Sequence, residues 1–340
     1  MKVDEESVQA PLRRALNRAA NSRSRPRGRV DLLKDYSILG FLLLLFVFLA
    51  ATSPAFLTTQ NLNNVLDQSV AVGLLACAGG MLIMGGGFDL SAGAIYVLSA
   101  VLAAKVANAT NAELGIVTGI LAGMALGGVN AIICTIGKIN AFVGTLATSI
   151  FFSGAATAVT GGGFTYIDDQ NFGKLSSKIF GINAPIIIFA LFALVCAFLL
   201  NKTIFGRHLL AAGDNKEAAA LSGVSVHLTL ARAYMLSGIA SGLAGVVVAS
   251  RSLAVASTAN AGNSVLFAAL AAILVGGVSM LGGEGAIWRI LAGVLILAFV
   301  ANGFDLNGVD PLYQQMMSGA LILLAVGADV WIRAAKASRS

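Results

Sequence analysis

Charged residues are scarce in this sequence. They make up 11% of its 340 residues while 57% are hydrophobic, and a soluble domain usually carries about 25% charge. So few polar groups cannot cover a water-soluble fold, and the mean hydropathy of +0.86 points to a polytopic membrane protein. Disorder and a disulfide-stapled secreted scaffold are excluded on the same grounds. Cysteine is equally sparse: Cys77, Cys134 and Cys196 lie far apart inside apolar runs without a CxxC pair. They read as buried, inert thiols, and no metal site is expected. Histidine is limited to His208 and His227. No GxxxxGK[ST] occurs, since Gly137-Lys138 and Gly173-Lys174 are followed by Ile139 and Leu175, so the chain lacks an ATP cradle of its own. There is no HExxH, and Gly223-Val224-Ser225-Val226-His227 lacks the closing glycine of a nucleophile elbow. No catalytic residue is expected, and a membrane enzyme or scaffold has no polar cluster to support it.

The charge that is present has a place. The first 35 residues hold nine basic residues against five acids, which reads as a topology signal at an anionic membrane surface rather than a nucleic-acid face. Residues 1–35 are therefore expected to be a disordered, basic cytoplasmic tail. Beyond it, at about 30 residues per span and loop, the remaining length fits about ten helices. The apolar runs fall at 36–55, 65–84, 91–106, 114–136, 141–159, 184–200, 233–250, 266–281, 287–300 and 316–332. With ten spans and both termini cytoplasmic, only Lys105, Lys174, Lys178 and Arg251 of the 22 basic residues fall outside, as the positive-inside rule asks. The expected fold is an all-α polytopic membrane bundle, with a transmembrane domain over 36–332 and a short cytoplasmic tail over 333–340. Gly119, Gly123 and Gly127 form overlapping GxxxG steps, and Gly238 and Gly242 another; such steps let helices approach closely in lipid.

Polar residues inside apolar runs are costly, and they are functional candidates by default. Asp89 follows three glycines in Gly85-Gly86-Gly87-Phe88-Asp89-Leu90-Ser91. An interrupted helix there presents free backbone groups to a cavity; a plain loop with a cap at Asp89 or Ser91 is the other reading. Asn130, in mid-span, either lines a path or bonds a neighbouring helix. No chain of buried acids and histidines is visible, which weighs against a stand-alone ion- or proton-coupled secondary transporter, the alternative reading. A faint internal echo relates Gly79-Gly80 to Gly87 and Gly93-Ala94-Ile95-Tyr96 with Gly276-Gly277 to Gly283 and Gly285-Ala286-Ile287-Trp288.

The loop over 201–226 is the most informative stretch. Asp214 or Asn215 suits the cap of a short helix, Glu217 its first turn and Gly223 its end. Its alanines make a small, smooth face suited to a groove on a soluble partner.

This loop resembles the coupling loop of ABC-transporter permeases. Glu217-Ala218-Ala219, three residues and Gly223 fit EAA-xxx-G, and Thr203 to Ala219 fits T-x-x-G-R-x-x-x-A-x-G-x-N-x-x-A-A. The fuller form resembles the permeases of ribose-, xylose- and galactose-type importers. Gly86-Phe88-Asp89-Leu90-Ser91, Gly144-Thr145-Leu146 and Gly282-Gly283-x-Gly285 are similar to the same family in order and spacing, and the likeness runs over roughly 36–332. It departs at 262–267, where an acidic pair common in relatives is missing, and at Glu284, where relatives often carry a base. The resemblance implies the type II ABC importer permease fold, two copies forming the pathway across the bacterial inner membrane, a cytoplasmic ATPase and a periplasmic sugar-binding protein. ATP and magnesium are implied on that ATPase, with no cofactor on this chain. It further implies that Gly206, Arg207, Asp214, Asn215, Glu217, Ala218, Ala219 and Gly223 meet the ATPase, with Asp89, Ser91 and Asn130 in the pathway or gate for a monosaccharide or related polyol.

Overall fold

The computed structural model describes residues 29–310 and, beyond them, Tyr313, Met316, Gly319, Ala320, Leu323 and Gly327, which are helical. The helices are α1 (Arg29–Thr52), α2 (Thr59–Met84), α3 (Ala92–Ala109), α4 (Ala112–Ala131, continued by a π turn over Ile132–Ile136), α5 (Ala141–Thr160), α6 (Ala184–Lys202), α7 (Ile204–Asp214), α8 (Lys216–Leu221), α9 (Val226–Ser252), α10 (Ala259–Val275) and α11 (Ile287–Leu306). Seven of them, α2 to α6, α9 and α11, are long and apolar enough to cross a membrane, and two shorter apolar stretches lie at Ser37–Thr52 and Asn260–Val275. Each overlaps an expected span. The tenth, at 316–332, falls largely outside the described residues, as do 1–28 and the tail at 333–340.

Several boundaries differ from the apolar pattern: α2 begins at Thr59 and α9 at Val226, six and seven residues early, and α11 runs on to Leu306. Two more differences concern α1 and α10. Helix α1 begins at Arg29, inside the segment expected to be a disordered tail, because the last glycine or proline ahead of the span is Gly28. Helix α10 occupies Ala259–Val275 instead of 266–281. Hydrophobicity continues through Val278, Met280 and Leu281, but Gly276 caps the helix and Gly277 takes φ 70°, a left-handed turn that ends it. The uncharged stretch 262–267, expected in an outer loop, therefore lies within α10.

The chain is also not purely helical. Strand β1 (Phe164–Tyr166) pairs antiparallel with β4 (Ala254–Ala256), and β2 (Lys178–Ile179) with β3 (Ile182–Asn183). These short ladders, with a 3₁₀ turn over Gln170–Ser176, satisfy backbone groups in the 161–183 loop.

Helices α2, α3 and α9 are the most buried and form the centre, while α4, α5 and α6 leave most of their surface exposed. Most exposed side chains of those three are apolar, among them Leu121, Ile132, Ile150, Phe151 and Leu194, as lipid requires, while the exposed polar ones, Glu113, Thr157, Asn201 and Lys202, lie near the helix ends. The glycine steps pair with one another. Gly123 and Gly127 lie against Gly238, and Gly119 against Gly242, so that a Cβ at Gly127 stands 3.0 Å from the Cα of Gly238. Helices α4 and α9 thus meet backbone to backbone.

The expected echo of Gly79-Gly80 with Gly276-Gly277 does not hold, since Gly79 and Gly80 lie inside α2 and Gly276-Gly277 end α10; a different pair of segments matches. Gly85, Gly86 and Gly87 close α2 with N–H bonds to Met81, Ile83 and Leu82, and Gly276, Gly277 and Val278 close α10 with the matching bonds to Ala272, Leu274 and Ile273. The correspondence runs Gly85-Gly86 to Gly276-Gly277, because the repeated feature is the helix stop and not glycine content.

Candidate functional site

The break between α2 and α3 carries Asp89 into the bundle. Gly86 adopts φ 76°, a conformation glycine reaches without strain, and the chain stays non-helical until Ala92. Asp89 Oδ1 accepts from the Ser91 N–H at 2.9 Å and the Ser91 hydroxyl at 2.7 Å. Its Oδ2 accepts from Ser237 Oγ of α9 at 2.9 Å. Asn130 of α4 donates from Nδ2 to Ser91 Oγ at 2.6 Å and reaches Asp89 Oδ1 at 3.5 Å. Its Oδ1 accepts from Thr148 Oγ1 of α5 at 2.7 Å. Two further bonds fix the backbone around the carboxylate: Tyr234 OH donates to the Phe88 carbonyl at 3.1 Å, and the Leu90 N–H donates to Thr145 Oγ1 at 3.0 Å.

The structure therefore brings Asp89, Ser91 and Asn130 into one buried network. Ser91 and Asn130 have no exposed surface and Asp89 is 7% exposed. Both sequence readings of Asp89 are partly met: the helix is interrupted, and Ser91 occupies the N-cap position of α3, but its hydroxyl serves Asp89 instead of capping the helix. Asn130 bonds across helices. The named donors to Asp89 are all uncharged, so the carboxylate is held by oriented dipoles. The cavity beside it, bounded in part by Leu75, Gly79, Ile83, Asp89, Ser237 and Ile273, holds ≈ 20 Å³, room for about one water and none for a sugar. Sequence reasoning missed Ser237, Thr145, Thr148 and Tyr234. The two threonines are one turn apart in an apolar run, the same mark that singled out Asn130.

The loop after α6 forms a second site. It contains two helices where one was expected. Thr203 Oγ1 accepts from Gly206 N–H at 3.4 Å to start α7, and Asn215 Oδ1 accepts from Ala218 N–H at 2.9 Å to start α8. Asn215, of the two candidates, is thus the cap, Glu217 stands in the first turn, and Gly223 at φ 84° turns the chain away. Arg207, Asp214, Asn215, Glu217, Ala218 and Gly223 are exposed. Gly206 and Ala219 are buried against their own chain, where they seat α7 and α8. Leu221, 91% exposed, is an apolar tip that the motif did not mark.

The two sites touch. Gly213, near the end of α7, lies so close to the Met84 carbonyl and to Gly283 that a side chain there has no room. Lys216 Nζ donates to the Gly86 carbonyl at 3.1 Å.

Comparison with known proteins follows the same lines. Residues 61–326 match the family model described as branched-chain amino acid transport system / permease component. The chain is 33% identical to the ribose import permease protein RbsC of Escherichia coli (strain K12), over 85% of this chain and 91% of that one. It is 37% identical to RbsC of Bacillus subtilis (strain 168), over 85% and 90%. It is 35% identical to the L-arabinose ABC transporter permease protein AraH of Azospirillum brasilense, over 93% of each. No solved structure matches the chain.

Proposed function

The chain belongs to the branched-chain amino acid transport system / permease component family, and from that premise we propose that it is the membrane-spanning permease of an ATP-driven importer of a monosaccharide or related polyol. It is a multi-pass protein of the inner membrane. The likeness to ribose and L-arabinose permeases across at least 85% of the chain carries the cargo class. In this reading ten spans follow the type II importer architecture, both termini are cytoplasmic, and two copies enclose the pathway. A cytoplasmic ATPase holds ATP and magnesium, and a periplasmic binding protein delivers the sugar.

The 201–226 loop is the docking element. Arg207, Asp214, Asn215, Glu217 and Ala218 present an exposed mixed face, and Gly206, Ala219 and Gly223 shape the two helices that carry it. A short, exposed helix with small side chains and one apolar tip suits a groove on a soluble partner. The Asp89–Ser91–Asn130 network works as a gate element: its hydrogen bonds are internal and its cavity is too small for sugar, so it governs helix positions and does not form a wall of the pathway.

The test is purification from the native membrane in mild detergent, followed by reconstitution with the ATPase and binding protein and measurement of labelled ribose and L-arabinose uptake. A stoichiometric ATPase and ATP-dependent uptake of a sugar are expected. Transport driven by an ion gradient, with no ATPase attached, overturns the proposal.

A further inference from the structure

We propose that Lys216 is a positioning residue of the transport cycle, whose ammonium ties helix α8 to the open end of α2 and so to the buried Asp89 network. The inference rests on reading residues 201–226 as the loop that meets the ATPase.

The last carbonyls of a helix have no partner within it and carry the negative end of its dipole, where a cation is favoured. At the end of α2 one of them is taken from outside, and so is a carbonyl of the glycine turn that follows it. The Met84 carbonyl accepts from the Gly283 N–H at 2.8 Å, and the Gly86 carbonyl accepts from Lys216 Nζ at 3.1 Å, 130 positions away. These ties differ in kind. Gly283 belongs to the turn between α10 and α11, which packs on Gly213 and Asp214. Lys216 is the first residue of α8, the helix that presents Glu217, Ala218 and Leu221 outward. Among the described residues, no other α8 side chain makes a hydrogen bond into the bundle.

Beyond Gly86 the chain offers little slack. Phe88 is held through its carbonyl by Tyr234, and Asp89 is held by Ser237 of α9 and lies beside Asn130 of α4. A movement of α8 therefore reaches Gly86 through one hydrogen bond and reaches α9 through the next. Gly86 cannot absorb it by repacking a side chain, having none. A Cβ there stands 3.3 Å from Lys216 Cε and 3.5 Å from the Gly213 Cα, so the lysine stem and α7 already fill the space around it.

The experiment uses the whole transporter with its ATPase in lipid nanodiscs. Cys77, Cys134 and Cys196 are replaced by serine, and Phe88→Cys, half-buried at the break, reports maleimide labelling with and without ATP and vanadate. With Lys216 present, trapping is expected to change the labelling rate by about tenfold, the scale of one charge-assisted hydrogen bond. Lys216→Met abolishes that change while the ATPase stays bound and hydrolyses ATP, and Lys216→Arg restores it. The same response in Lys216→Met as in the parent overturns the proposal and leaves the docking reading intact. So does a parent whose labelling does not respond, or loss in both substitutions, which makes the lysine merely structural. A parent that purifies without any ATPase overturns the docking reading itself.

Discussion

Asp89 Oδ2 accepts the Ser237 hydroxyl at 2.9 Å across 148 positions of sequence. That bond joins the non-helical stretch after α2 to the middle of α9, and the Ser91–Asn130–Thr148 chain extends it to α4 and α5. A carboxylate surrounded by neutral donors is stable only while those donors stay aimed at it. The network therefore fixes the relative positions of four helices at one point.

Removing the carboxylate leaves the Ser91 and Ser237 donors buried without an acceptor. Asp89→Ala is expected to cost about 2–5 kcal/mol, and Ser237→Ala, which removes one of several donors, about 1 kcal/mol. Thermal unfolding of the purified protein in detergent separates them. Equal losses, or none, contradict the ordering.

The close approach of α4 and α9 gives a second expectation. Gly123→Val places a branched side chain against the Gly238 carbonyl and Gly242 backbone, whereas Gly128 has nothing within 4 Å of its Cβ position. Gly123→Val is expected to abolish the folded, monodisperse protein, and Gly128→Val to leave it within about 1 kcal/mol of the parent. Size-exclusion profiles after detergent extraction decide it; a well-behaved Gly123→Val protein removes the argument for backbone contact.

Much of this was legible in the sequence, for identifiable reasons. Span positions follow hydropathy because lipid admits little else, and the seven helices long enough to cross a membrane, with the two shorter apolar ones, overlap the apolar runs. Asp89, Ser91 and Asn130 stood out as polar residues where polarity is expensive. Ser237 did not, since serine is common in tightly packed membrane helices and only its partner makes it informative. The end of α10 was missed because a left-handed glycine leaves no mark in hydrophobicity, and Val278 and Leu281 carry the apolar run past it. Lys216 stands at an unspecified position of the loop motif; its bond to Gly86 exists only once α2 and α8 are brought together.

Asp169 provides a pH test outside the spans. It caps the 3₁₀ turn over Gln170–Ser176, accepting from the Asn171 N–H at 3.0 Å, and accepts from the Ala112 N–H at the start of α4 at 2.8 Å. Those two backbone bonds, in that order, hold its carboxyl below the usual range. A depressed folded value means the contribution is present above the unfolded pKa, near 3.9, and is lost as pH falls through the lower folded value. Unfolding temperatures of the parent and Asp169→Asn are expected to differ at pH 6 and to converge as pH falls below about 4. A constant difference across that window assigns the bonds no role.

The docking face yields the last prediction. Leu221 is 91% exposed, the one large apolar side chain on a helix that otherwise carries Lys216, Glu217 and three alanines, and burying one leucine side chain on a partner contributes about 1.5–3 kcal/mol, or roughly 10- to 100-fold in affinity. Leu221→Asp is therefore expected to release the ATPase during purification. Glu217→Lys reverses the one acid in the first turn of α8, and Gly223→Leu forces a side chain into φ 84°, a conformation costing about 1–2 kcal/mol for a residue with a Cβ. Both act on the orientation of α8 more than on its adhesion, so both are expected to retain ATPase and hydrolysis while uptake per ATP falls severalfold. Pull-down by the tagged permease reads retention, and paired hydrolysis and uptake assays in proteoliposomes read coupling. Normal uptake in all three variants excludes α8 as the contact that drives transport, because no single face of so short a helix survives an added charge, a reversed charge and a strained exit together.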